Sequence, residues 1–215
     1  MPGSTLLVFA HADEAEAFAA AGVPHLITGV GKINATLALT EALLGAQEQS
    51  GESSGAGAGA VVGAGVGAAV GAGASFERVV VLGTAGAVDD EVRLDAVYQI
   101  EAFVQHDFSL PSPKVVPAGP LLEVVPLSII ATGDVFVQDD SQRAALSAVG
   151  AHLVDMESYA YAVVCERLGI PLQVFKVPSD FADSSTTQDE WDGVVMTKSR
   201  QLFEFARARL PELFG

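Results

Sequence analysis

Residues 153–180, LVDMESYAYAVVCERLGIPLQVFKVPSD, constrain the fold more than any other part of the chain. A short apolar run ends at Glu157. A mostly apolar run of helical length follows. Gly169 and Pro171 close it, as expected for a helix stop followed by a turn. Residues 172–177 then read as a buried strand, and Asp180 lies just past it. The segment therefore reads strand, acid, helix, turn, strand, acid. In α/β sheets, ligands bind in the crevice beyond the carboxyl ends of strands. Both acids are expected near such ends.

The rest of the chain repeats the alternation. Residues 6–10 form a short strand that runs into His11, Ala12, Asp13 and Glu14. An Ala-rich helix then runs to Ala21 and stops at Gly22. Residues 24–28 form a short strand and residues 29–32 a glycine turn. Residues 33–46 form a helix with apolar positions on most faces, expected to be largely buried. Residues 78–82 are a buried strand ending in Gly83, Thr84, Ala85 and Gly86. Those glycines serve either close approach of the backbone to a ligand or a plain tight turn. Residues 95–104 are a strand ending at His106 and Asp107, and residues 109–120 are a proline-rich loop. Residues 124–131 are a strand leading into Thr132 to Val137, and residues 142–149 are a short helix. Thr187 to Glu190 have capping-box spacing and start the last helix, which runs to about Leu210. This order predicts a single α/β domain over residues 1–215, with three αβα layers. Its central twisted sheet is mainly parallel or mixed, and helices flank it. Residues 47–75 are low-complexity Ser, Gly and Ala and are expected to be an insertion.

Charge narrows the partners. With 27 acidic and 11 basic residues, the formal net charge is -16. That lacks the electrostatic footprint for nucleic acid or an anionic membrane. The lone Cys165 cannot build a disulfide framework and reads as a core residue, which fits a reduced cytoplasm. The first residues show no secretory signal. The spacing of Gly59, Gly63, Gly67 and Gly71 matches a membrane-helix packing pattern. The glycine load and the absence of basic flanks instead favour a flexible loop.

The candidate chemistry is carboxylate chemistry. There is no Cys/His cluster with metal spacing, no P-loop and no G-x-S-x-G elbow, so neither metal nor cofactor is expected. His25 and His152 read as surface residues. Four strand ends would project Glu14, Thr84, Glu157 and Asp180 in one direction. Paired carboxylates suit glycosidic cleavage, one protonating the leaving group while the other activates water or steadies positive charge on the sugar. Helix starts also favour acids, so Glu14, Asp13 and Glu16 compete for any such role.

At this point the sequence resembles the nucleoside phosphorylase and nucleosidase superfamily, with the closest likeness to methylthioadenosine/S-adenosylhomocysteine nucleosidases. The resemblance rests on Val154-Asp155-Met156-Glu157 and on the run from Pro171 to Ser179-Asp180. Supporting pieces are Glu14 after its strand, residues 29–35, Gly83-Thr84-Ala85-Gly86, His106-Asp107 and Thr132-Gly133-Asp134-Val135-Phe136. The likeness implies a role for each residue. Glu157 would accept the ribose 2′- and 3′-hydroxyls, and Met156 would pack under the ribose. Phe136 would stack on the purine, while the Val137 backbone reads its edge. Asp180, oriented by Ser179, would protonate N7 of the leaving base. Glu14, near Thr84, would be general base for water. A small-molecule nucleoside substrate and a homodimer are likewise implied. Departures from the pattern are Pro178 before Ser179, Lys176 in place of an arginine, and Asp155 in place of a glutamate. The proline-rich loop, residues 109–120, also lacks aromatics. Glu14 would repel phosphate, so water is the expected nucleophile. Phosphorolysis and non-catalytic nucleoside binding are the competing readings.

Overall fold

The computed structural model describes residues 4–51, 76–185 and 187–214. The bulk of the Gly/Ala-rich insertion, residues 52–75, lies outside the described residues. So does the membrane-or-loop question that it raised.

Among the described residues seven strands and five helices follow in the order β1 (Ser4–Phe9), α1 (Glu16–Ala20), β2 (Leu26–Ile27), α2 (Lys32–Gly51), β3 (Phe76–Ala87), β4 (Tyr98–Gln105), β5 (Leu127–Thr132), α3 (Asp140–Ala148), β6 (Leu153–Asp155), α4 (Ser158–Leu168), β7 (Leu172–Asp180) and α5 (Gln188–Arg209). A short 3-10 helix, Pro211–Phe214, follows. The strand order is β2-β1-β3-β6-β5-β4-β7, and β7 also pairs back to β3. Five pairings are parallel. The β3–β6 and β4–β7 pairings are antiparallel. The sheet is therefore mixed, and its last five strands close on one another.

Alternation along the strands builds two cores. Leu6, Val8, Val79 and Val81 face one side with Leu39 and Leu43 of α2 and Tyr161 and Cys165 of α4. Leu7, Phe9, Val80 and Leu82 face the other side with Phe18 of α1 and Leu202 and Ala206 of α5. This is the period of two expected for a sheet covered on both faces. Each fully buried Leu, Val or Phe contributes roughly 1.5–3 kcal/mol relative to exposure. Cys165 belongs to this core, and burial pushes its thiol up to about 12. Gly169 ends α4 with φ +67°, a left-handed cap that bonds back to the carbonyls of Cys165 and Glu166.

The structure revises several expectations. Residues 83–86 are not a loop after a strand, because β3 continues through them to Ala87. Likewise β7 runs through Asp180 instead of stopping at Val177. Helix α2 is only half buried. Ala35, Leu39 and Leu43 are covered, while Ile33 and Leu37 are exposed. It also reaches Gly51, past the expected start of the insertion. His25 is not a surface residue: it is buried, with Nδ1 2.7 Å from the Val23 carbonyl and its ring edge-on to Phe9. His152 is half-buried, and its Nδ1 lies 3.5 Å from the backbone nitrogen of Ile129.

Candidate active site

A cavity of about 240 Å³ opens at the carboxyl ends of β1, β3, β6 and β7. Each of Glu14, Thr84, Phe136, Val137, Met156, Glu157, Ser179 and Asp180 lines it. They come from stretches far apart in the chain, and the sheet topology brings them together.

Glu14 sits in the turn between β1 and α1, two residues before the helix starts. It is buried. Its Oε1 accepts the backbone N–H of Thr84 at 2.6 Å and the Thr84 hydroxyl at 2.7 Å. Its Oε2 accepts the N–H of His11 at 3.1 Å. Asp13 is exposed at its side chain and does not line the cavity. Glu16 is likewise exposed and does not line it.

Glu157 occupies the N-cap position of α4, yet its side chain makes no capping bond. Asp155 supplies that bond instead, accepting the Ser158 N–H. The Glu157 carboxyl turns to the glycine turn before α2, where Gly31 N–H donates to Oε1 at 2.8 Å. Burial pushes its pKa up to about 8, with Asp155 adding to the rise and Lys176 and the Gly31 N–H opposing it. A surface helix-start acid would not be held this way.

Asp180 ends β7 and is half-buried. The Ser179 hydroxyl donates to its Oδ2 at 2.6 Å, and Ala182 N–H donates to its Oδ1 at 2.8 Å. The β3–β7 register slips here: Ala85 pairs with Pro178 and Gly86 with Asp180. The slip is a bulge, a strand irregularity where proline is tolerated and where side chains are re-aimed. Pro178 thus sits inside the strand beside the bulge that presents Ser179 and Asp180.

A buried ion pair borders the cavity, with Asp155 among its lining residues. Lys176 Nζ is 2.9 Å from Asp155 Oδ2. Thr132 Oγ1 donates to the other Asp155 oxygen at 2.7 Å. The glycine of the 83–86 motif acquires a different purpose here. Gly83 pairs with Lys176 in the sheet. A side-chain carbon on Gly83 would lie 3.1 Å from both Glu14 Oε1 and Lys176 Nζ. Glycine makes room for charges, not for a loop.

Trp191, near the start of α5, was not singled out from the sequence. It lines the cavity, donates its indole N–H to Thr84 Oγ1 at 3.1 Å and packs edge-on against His11. Its being the one tryptophan of the chain was the available signal. His106 does not line the cavity. Its Nε2 is buried without a hydrogen-bond partner, and burial lowers its pKa. Among the described residues no cluster of His, Cys, Asp or Glu is arranged to hold a metal ion. No described helix is long and apolar enough to cross a membrane.

The family model of the phosphorylase superfamily matches residues 118–210. No curated protein matches the sequence significantly. Among solved structures, the chain is similar to a mutant of Helicobacter pylori 5′-methylthioadenosine/S-adenosylhomocysteine nucleosidase with 5′-methylthioadenosine in its active site. The TM-score is 0.78 at 17% identity, covering 99% of this chain and 100% of that one. A futalosine hydrolase mutant of the same organism is similar with a TM-score of 0.75 at 17% identity, covering 98% and 99%. A Streptococcus pneumoniae MTA/SAH nucleosidase in complex with 8-aminoadenine gives 0.70 at 15% identity, covering 94% and 96%. At these identities the likeness speaks for the fold, while residues 118–210 carry the sequence pattern as well. Residues 118–210, less than half of the chain, thus match the phosphorylase superfamily pattern, and the chain shares the fold of these solved structures.

Proposed function

We propose that the protein hydrolyses the N-glycosidic bond of a purine nucleoside, releasing the base. Methylthioadenosine and S-adenosylhomocysteine are the first candidates. The observation that carries this reading is the convergence of Glu14, Glu157 and Asp180 on one cavity, each in a different hydrogen-bonded setting.

Each setting suits one task. Glu14 is held by three donors with Oε2 the less heavily bonded oxygen, which suits a base that takes a proton from an attacking water. Glu157 faces two ribose hydroxyls in this reading. Their O–H donors favour its charged form, which then steadies positive charge growing on the sugar. Asp180 delivers a proton to N7 of the base as the bond breaks, with Ser179 fixing its carboxyl. Phe136 stacks on the base, the Val137 backbone reads its edge, and Met156 packs beneath the ribose. No cofactor takes part in this scheme.

Water is preferred over phosphate on a specific ground. Among the described residues lining the cavity there is no arginine or lysine. A phosphate would approach Glu14 without the cationic partners it needs. Two copies of the chain are part of the proposal, with the exposed Ile33 and Leu37 of α2 as candidate contacts.

A panel of purine nucleosides in phosphate-free buffer, scored for free base, tests the reading. Adenine release from methylthioadenosine without phosphate is expected, and a strict phosphate requirement would replace hydrolysis with phosphorolysis. Asp180→Asn should lower base release by at least a hundredfold while nucleoside binding by calorimetry stays within a few-fold. Unchanged turnover would remove Asp180 from the mechanism.

A further inference from the structure

We propose that Lys176 is a positioning residue for the cavity. Its buried ammonium, tethered to Asp155, offsets the mutual repulsion of Glu14, Asp155 and Glu157 around the cavity. The consequence for turnover rests on the hydrolysis reading above, and the electrostatic arrangement does not.

Three acids from three elements crowd one small region. Glu14 comes from the turn after β1, Asp155 from the end of β6, and Glu157 from the start of α4. All three are buried. Neighbouring carboxylates in a poorly solvated site repel and so favour uptake of a proton, and a buried cation opposes that uptake. Lys176 is 1% exposed and supplies that cation. Its Nζ bonds Asp155 at 2.9 Å and faces Glu14 Oε1 across the space kept open by Gly83. Burial by itself would lower the lysine pKa. Asp155, Glu14 and Glu157 outweigh burial and hold it above its ordinary value, so the group stays charged.

Lys176 and Asp155 are each other's partners, and Lys176 Nζ also lies beside Glu14 Oε1 at Gly83. Thr132 and Ser158 complete the shell of Asp155, so its carboxylate is fixed from several sides.

The test reads Glu157 directly. The side-chain carboxyls are labelled with carbon-13 glutamate, Glu157 is assigned with Glu157→Gln, and its titration is followed by NMR. In Lys176→Met the midpoint should rise by about one pH unit or more, because a favourable charge has gone. Lys176→Arg keeps the charge and should hold the midpoint within about half a unit of wild type. Asp155→Asn/Lys176→Met removes both charges and should bring it back toward the wild-type value. Where the wild type cleaves nucleosides, Lys176→Met should lower kcat by more than tenfold with a smaller change in KM.

Should Lys176→Met fail to fold, Asp155→Asn and Asp155→Asn/Lys176→Met form the comparison. They differ by the same cation without stranding Asp155, and the midpoint must again rise when the lysine goes. A Glu157 midpoint that is unmoved by loss of Lys176 in either background overturns the proposal. A midpoint that moves in a protein that cleaves no nucleoside upholds the arrangement and rejects the hydrolysis reading instead.

Discussion

Asp155 with Lys176 and Asp95 with Arg93 close over the same distance, 2.9 Å. The first pair has side chains 4% and 2% exposed, and the second 73% and 74%. Distance therefore says nothing about what each contributes. Around Arg93 and Asp95, water solvates both charges whether or not they meet, and salt screens what remains. Around Lys176 there is no such substitute. Each charge depends on the other and on the hydrogen bonds from Thr132 and Ser158. A buried pair of this kind contributes little beyond well-packed apolar residues, but losing one half leaves a charge with nowhere to go.

The largest expected effect comes from breaking the buried pair on its acidic side. Asp155→Asn should cost about 3–5 kcal/mol in a urea titration, since Lys176 stays buried while its closest counter-charge is lost. A loss below about 1 kcal/mol would mean that water reaches the site and that the two pairs are alike.

Gly83→Ala presses on the same charges from the side. The added carbon would meet Glu14 Oε1 and Lys176 Nζ at 3.1 Å. A destabilisation of about 1–3 kcal/mol is expected, as for overpacking elsewhere. Thermal unfolding of the variant measures it, and a neutral result would show that the two side chains give way freely.

Glu157 sharpens the comparison through pH. Its carboxyl titrates at about 8 in the folded protein against an ordinary 4.5. The folded state therefore holds the extra proton between those values, and the unfolded chain does not. Stability associated with this group is complete below pH 4.5 and declines as pH rises toward 8. Glu157→Gln should flatten that part of the curve of Tm against pH. A wild-type Tm that rises across this window, with the variant running parallel, would contradict it.

The smallest effect belongs to the exposed pair. Arg93→Ala should leave Tm unchanged within error at moderate salt. A shift comparable to that of Asp155→Asn would erase the distinction between the two pairs.

Much of the fold was legible from local pattern. The alternation of strand-length and helix-length apolar runs predicted a flanked α/β sheet, and residues 153–180 read in the right order. Errors gathered where local signals mean two things. Glycine at residues 83 and 86 reads as a turn, but each lies opposite a β7 residue, and at Gly83 the missing side chain leaves room for Glu14 and Lys176. The strand read as residues 172–177 runs on through Pro178 to Asp180, and a bulge accommodates the proline. His25 reads as polar and exposed, but a single carbonyl satisfies its Nδ1 within the core. The half-exposed α2 shows the same ambiguity, because apolar spacing reveals that a helix has a sticky face but not what covers it.

The candidate residues divide in the same manner. Glu14, Glu157 and Asp180 could be nominated from sequence because acids at the ends of apolar strands are conspicuous. Trp191 could not be nominated by pattern, since its link to Thr84 spans 107 positions. Local order along the chain decided which segments are strands, which are helices and where acids stand at their ends, because propensity and periodicity act over a few residues. Pairing across the sheet alone decided that Lys176 meets Asp155 and that Gly83 leaves the gap between Glu14 and Lys176. Those relations depend on solvent exclusion and on register between distant strands, which no window of sequence contains.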